Sequence, residues 1–251
     1  MAHVIVTRPA GQGEALVQQL QANGHSVASM PLMAISAVAD SSAEARLCRT
    51  RMLDLDLYQH VIAISANAAR YGLDLLDELW PQPPIGVHWY GVGPASAEPM
   101  REAGLTVQLP HSRYDSEGLL ALPDLQVVAE QRILIWRGVG GRETLATVLR
   151  ERGATVDYAE LYERVEQQYS PAQWQQVLSD EGNSWLLLSS GQALDIVMAQ
   201  LPDLPQRLAG IVLPSERVAD QARELGFRQV LVPASARDDD MLACLASHFN
   251  G

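Results

Sequence analysis

The sequence predicts an α/β protein made of two similar parallel-sheet lobes with helices on both faces, joined by a two-stranded β-ladder hinge. Three observations carry this expectation. Short apolar runs alternate with amphipathic stretches, strand–turn–helix units recur within the chain, and the recurring units do not follow one another in simple tandem. Continuously apolar strands separated by helices belong to parallel sheets covered on both sides.

The predicted strands are 3–7 (HVIVT), 26–32, 60–64 (HVIAI), 86–91, 105–109, 132–136 (RILIW), 154–160, 185–189 (WLLLS), 208–213 and 228–232. Helical patterns lie at 12–23, 66–79, 95–103, 141–152, 191–200, 215–225 and 238–248. Gly24, Gly104, Gly153 and Gly226 each follow a helical pattern and precede a strand, where a left-handed residue ends a helix. The acidic run Asp238-Asp239-Asp240 suits a helix N-terminus, because negative charge complements the dipole there.

Self-comparison sharpens the picture. The stretch from Val4 to Val27 aligns without a gap on Ile133 to Val156, matching Arg8 with Arg137, Gly11 with Gly140, Glu14 with Glu143 and Gly24 with Gly153. Residues 60–69 resemble 184–193 with Ser65 opposite Ser189, and 91–104 resemble 211–226 with two extra residues in the second copy. If each lobe holds one unit of each kind, residues 1–36 pair with 168–251, and 40–160 form an inserted lobe. The hinge strands then lie near 32–40 and 157–168. A tandem split near residue 125 is the simpler alternative.

Composition excludes several chemistries. All 18 basic residues are arginine and none is lysine, so Schiff-base chemistry and lysine-bearing phosphate loops are ruled out. A net charge of −12 argues against a nucleic-acid surface. No apolar run is long enough to span a bilayer and no secretory signal is visible, so a cytoplasmic protein without membrane association is expected. Cys48 and Cys244 lack metal spacing and the six histidines show no ligand pattern, so no metal is expected, and no nucleophile elbow is present.

The strand-to-helix turns hold the candidate chemistry, since ligands of open parallel sheets bind beyond the carboxyl ends of strands. They are Thr7-Arg8-Pro9, Ser65-Ala66-Asn67, Gly93 to Ser96, Arg137-Gly138 with Gly140 and Gly141, Ser189-Ser190-Gly191, and Pro214-Ser215-Glu216. Such turns offer free N–H groups and the positive end of a helix, which suit anions; plain helix capping is the competing use. Arg8, Arg137, Arg142 and Arg217 lie at or beside them, with Arg70 one turn into a helix. Tyr162, in the expected hinge, carries a hydroxyl able to assist a leaving oxygen, or simply packs at a junction. On these residues alone, a two-lobe binding or sensor protein for a small anion remains open beside an enzyme.

The ordered strings VTRP with GQGEAL at 6–16, ISAN at 64–67, GVGPAS at 91–96, RGVGGRETL at 137–145, LYERV at 161–165 and PSERVADQARELGF at 214–227 resemble the bacterial uroporphyrinogen-III synthases. The resemblance covers nearly the whole chain. It implies a cofactor-free, monomeric lyase that closes the linear tetrapyrrole hydroxymethylbilane in the cleft between the lobes, losing water and inverting the terminal pyrrole. By the same resemblance Tyr162 corresponds to the tyrosine that assists departure of the hydroxyl. Ser65, Asn67, Ser96, either Ser189 or Ser190, and Ser215 correspond to polar turn residues that meet the substrate. Arg8, Arg137 and Arg142 are candidate contacts for its carboxylates.

Overall fold

The computed structural model describes residues 1–39, 41–178 and 182–250; the expected boundaries at residues 40 and 251 lie outside them. The chain runs β1 (His3–Val6), α1 (Glu14–Ala22), β2 (Ser26–Ser29), β3 (Met33–Ala37), α2 (Ala43–Leu53), β4 (His60–Ala63) and α3 (Ala66–Leu79). It continues through β5 (His88–Gly91), α4 (Pro94–Glu102), β6 (Val107–Gln108), α5 (Ser116–Leu120), β7 (Arg132–Gly138), α6 (Thr144–Glu151) and β8 (Thr155–Glu166). Then come α7 (Pro171–Val177), β9 (Ser184–Leu187), α8 (Gly191–Gln200), α9 (Leu204–Arg207), β10 (Gly210–Val212), α10 (Glu216–Glu224), β11 (Val230–Leu231) and α11 (Asp238–Asn250). No helix among the described residues is long and apolar enough to cross a membrane.

Two compact units result. The first combines Met1–Ala34 with Val165–Gly251, and the second is Ile35–Arg164. The first unit's sheet has the order β2-β1-β9-β10-β11, with every strand pair parallel. Its strands alternate between two cores. Ile5, Leu186 and Ile211 pack with Trp174 of α7 and with α8 and α10. Val4, Val6, Leu187 and Val212 pack with Leu16 and Leu20 of α1 and Leu245 of α11. Full burial of each such side chain contributes roughly 1.5–3 kcal/mol.

The second unit's sheet has the order β3-β8-β7-β4-β5-β6, and its ladders from β8 to β6 are parallel. Val61, Ala63, Leu134 and Trp136 face a core shared with α2, α3 and α4. Ile62, Ile133 and Ile135 face the opposite core, built with α5 and α6. Beside β8, the Val38 N–H donates to Leu161 O. Both sheets therefore have a helical layer on each face, and five strands of the second repeat the order of the first as a circular permutation.

The repeat is closer than gapless inspection of the sequence suggests. Ser65 caps α3 by accepting from Ala68 N, and Ser190 caps α8 by accepting from Ala193 N. Pleat parity agrees: Leu186, not Trp185, shares the side of the sheet that corresponds to Val61. Ser65 thus matches Ser190, which corrects the pairing with Ser189 by one residue. The two extra residues expected in 211–226 also vanish. Gly93 and Ser215 occupy matching N-caps, Gly104 and Gly226 end matching helices, and Ser96 falls opposite Val218.

Two expectations needed other adjustment. The predicted helix over 141–152 begins at Thr144, because Gly140 and Gly141 have φ of 73° and 109°, outside helical space. Helix α2 had no counterpart among the predicted elements. Its sequence AEARLCRTRML buries only Cys48 and Met52, too sparse an apolar rhythm to read.

Candidate active site

The most developed constellation lies in the second unit, at the carboxyl ends of β4, β7 and β8. It begins with a defect in the ladder. Arg137 pairs with Glu160, but the next pair is Gly138 with Tyr162, so Leu161 is an extra residue on β8. A bulge of this kind re-aims the side chain that follows it. Strict alternation would put Tyr162 on the face opposite Leu161; instead both residues join the core beneath α3.

Tyr162 is consequently 6% exposed, and its hydroxyl lies 3.1 Å from Ser65 Oγ. Its ring stacks on Tyr71 of α3 at 5.7 Å between centroids and 22° between planes. The Tyr71 hydroxyl donates to Ile35 O at 3.1 Å, which fixes that partner in turn. On the other side the ring lies against Gly138, where a Cβ would come within 2.7 Å of two ring carbons. Ser65 Oγ accepts the Ala68 N–H at 3.0 Å, leaving one hydroxyl proton to share with Tyr162. Asn67 follows at the second position of α3 and is half-buried.

The β7–α6 turn is organised around Arg137, whose side chain is only 3% exposed. Its Nη1 donates to Glu143 Oε1 at 2.9 Å, Nη2 to Gly140 O, and Nε to Gly138 O at 3.2 Å. Glu160 lies 3.7 Å from Nε, and the guanidinium sits 4.3 Å above the Tyr158 ring. Tyr158 also donates to Glu143, and these two partners hold the Glu143 carboxyl below its usual range, the tyrosine bond contributing most. Burial, then Glu143, raises the Tyr158 phenol. Arg142, at the same turn, is exposed and makes no ion pair with any described residue. Both arginines line a cavity of about 280 Å³ walled by Ile64, Val92 and Tyr158.

The remaining expected residues are placed differently. Ser96 is 1% exposed, accepts from Gly93 N at 3.1 Å and donates to Gly93 O at 2.8 Å, so its hydroxyl is engaged within its own turn. In the first unit, Arg8 donates to Ala236 O at 2.6 Å and pairs with Asp238 at 2.5 Å, at the start of α11. Ser190 is the exposed cap of α8, Ser189 beside it is half-buried, and Ser215 stands at the N-cap of α10 without a side-chain capping bond. Sequence reasoning missed Tyr71, Tyr158 and Glu160. No spacing marks them, because Tyr158 and Glu160 meet Arg137 only through the β7–β8 pairing, and Tyr71 meets Tyr162 only through the bulge that follows.

Comparison with known proteins fits this picture. Residues 14–243 match the family model described as uroporphyrinogen-III synthase HemD. The chain is 32% identical over 247 residues to the uroporphyrinogen-III synthase of Salmonella typhimurium, covering 96% of this chain and 99% of that one. It is 31% identical over 253 residues to that of Escherichia coli K12, with 96% and 99% covered. The fold is like that of the crystal structure of uroporphyrinogen-III synthetase from Helicobacter pylori 26695, with a TM-score of 0.59, 14% identity, and 99% and 100% covered. The chain therefore belongs to the uroporphyrinogen-III synthase family.

Proposed function

We propose that this enzyme cyclises hydroxymethylbilane to uroporphyrinogen III, with the substrate held at carboxyl-edge turns of its parallel sheets. The observation that carries the chemistry is the placement of the Tyr162 hydroxyl by a bulge, beside a serine at a helix start. Because Ser65 Oγ already accepts the Ala68 N–H, its own proton is available to the Tyr162 oxygen. The phenolic proton is then free to reach the substrate's departing hydroxyl. The C–O bond breaks, water leaves, and the pyrrole nitrogen supplies the electrons, giving an azafulvenium cation beside the Tyr162 phenolate; the proton released as the azafulvenium relaxes or the ring closes returns to the phenolate. General acid assistance of this type contributes roughly 10²–10⁴-fold.

The harder task is regiochemistry. An azafulvene closes unaided to the uninverted ring, so the protein must hold the chain with the substituted carbon of the last pyrrole against the electrophile. Orientation of this kind is worth up to roughly 7–11 kcal/mol. Free N–H groups in the first turns of α3 and α8, with exposed arginine, supply anchors for the substrate's carboxylates. In the second unit Tyr162, Ser65, Asn67 and Arg142 are the residues most directly offered, and in the first unit Ser190, with Ser189, Ser215 and Arg8 at neighbouring turns.

Incubation of the purified protein with hydroxymethylbilane, followed by separation of the product isomers, tests the proposal. The inverted isomer is expected in excess. A product distribution equal to the buffer control overturns it.

A further inference from the structure

We infer that Arg142 grips a carboxylate of the bound tetrapyrrole and that Arg137 is the positioning residue that presents it, an assignment resting on the cyclisation reading above. The two arginines stand on one turn but have opposite circumstances. Arg137 is buried with its donors directed at Glu143, Gly140 O and Gly138 O and its face on Tyr158. A substrate carboxylate reaching it would have to displace Glu143, which is itself held ionised by Tyr158 and Arg137.

The groups that Arg137 holds bracket Arg142. Gly138 and Gly140 precede it, Glu143 follows it, and Gly140 and Gly141 are left-handed residues whose wide conformational freedom the clamp restricts, together with the Gly140 N–H bond to Glu160 at 3.3 Å. Arg142 thereby projects at the cavity walled by Ile64 and Val92, beyond the ends of β4 and β5. This is where the strand order reverses between β7 and β4, the crevice that open α/β sheets use for ligands. Two acids share the rim, but Asp115 and Glu117 face Arg113 at 2.7 and 3.8 Å, and Asp115 also accepts the Gly118 N–H at 2.8 Å. An apolar wall beside an unpaired guanidinium suits a pyrrole ring that carries an acid arm.

The test is a double-mutant cycle read in KM with hydroxymethylbilane as substrate. Arg142→Gln is expected to raise KM about tenfold or more, as loss of a charge-assisted hydrogen bond does, with kcat little changed. Arg137→Gln is expected to raise KM to a similar extent, and the double variant to be no worse than either single one. Glu143→Gln loosens the same clamp from an exposed side chain and guards against misfolding of the Arg137 variant; it too should raise KM, and Arg142→Lys should restore part of the loss. An unchanged KM in Arg142→Gln, or effects that multiply in the double variant, overturns the assignment while the wild type still cyclises. An inactive wild type overturns the cyclisation reading itself.

Discussion

The Tyr162 hydroxyl lies 3.1 Å from Ser65 Oγ, and Ser65 is at the same time the N-cap of α3. One serine therefore ties the phenol to the end of a 14-residue helix. Tyr162→Phe should lower kcat by about 10²-fold, the low end for a general acid, at a stability cost near 1 kcal/mol for the lost bond. Ser65→Ala should cost about 1 kcal/mol as a lost cap and also lower kcat. The two effects on kcat should overlap in the double variant. Steady-state turnover and urea denaturation measure both quantities, and full turnover in Tyr162→Phe would reduce the ring to packing.

Gly138 makes room for that ring. Its backbone is not left-handed, so alanine is opposed only by the Tyr162 carbons 2.7 Å from the added Cβ. Gly138→Ala should displace the ring, reducing kcat more than tenfold while costing about 1–3 kcal/mol, as overpacking does. In the double variant with Tyr162→Ala the stability loss from Gly138→Ala should shrink to a few tenths of a kcal/mol. A loss that persists there would place the strain elsewhere.

The fold was legible because strand segments such as 4–6 (VIV) and 185–187 (WLL) are wholly apolar and repeat at matched spacing with their turns. Gapless comparison placed Ser65 opposite Ser189 because it weighs residue identity alone; the cap bonds and pleat parity that select Ser190 exist only after folding. Tyr162 was singled out by its segment and by resemblance. Its partner Tyr71 was not, and Gly138 was read only as part of a turn and not as room for the ring, because one extra residue on β8 decides which face the ring takes. Arg137 and Arg142 look interchangeable as letters, yet burial and Glu143 separate them completely.

The core of the second unit carries an unusual indole. Trp136 is fully buried, its Nε1 has no hydrogen-bond partner among the described residues, and a Cβ on Gly72 would lie 2.2 Å from its ring. An orphaned donor costs about 1–3 kcal/mol, so Trp136→Phe should change stability by only about 1 kcal/mol, the removed donor offsetting much of the lost contact. Gly72→Ala should be far worse, about 3 kcal/mol, because rigid helix backbone and a walled-in indole leave no relief. Denaturant midpoints for the two variants check the order; a Trp136→Phe loss above that of Gly72→Ala contradicts it.

His60, the first residue of β4, is buried between two polar partners. Its Nε2 lies 2.6 Å from Gln131 Oε1 and its Nδ1 lies 3.1 Å from the Tyr90 hydroxyl, with the His88 ring stacked at 5.5 Å. With the ring neutral, Nε2 donates to Gln131 and Nδ1 accepts from Tyr90, whose single proton is then not shared with Asp124 Oδ2 at 3.5 Å. Burial lowers its pKa below 6.5, with His88 adding to the effect and Gln131 and Asp124 opposing it. Above pH 6.5 both native and unfolded chains hold the ring neutral, and it exerts no pH dependence. As the pH falls through 6.5 the unfolded chain takes up a proton that the native site resists, so stability declines until the native ring also protonates. Replacing His60 with Gln should therefore lower stability at pH 8 yet make the decline between pH 6.5 and the native pKa shallower than in the wild type. Urea denaturation of both proteins across that range measures the slopes directly, and parallel curves would remove His60 as their source.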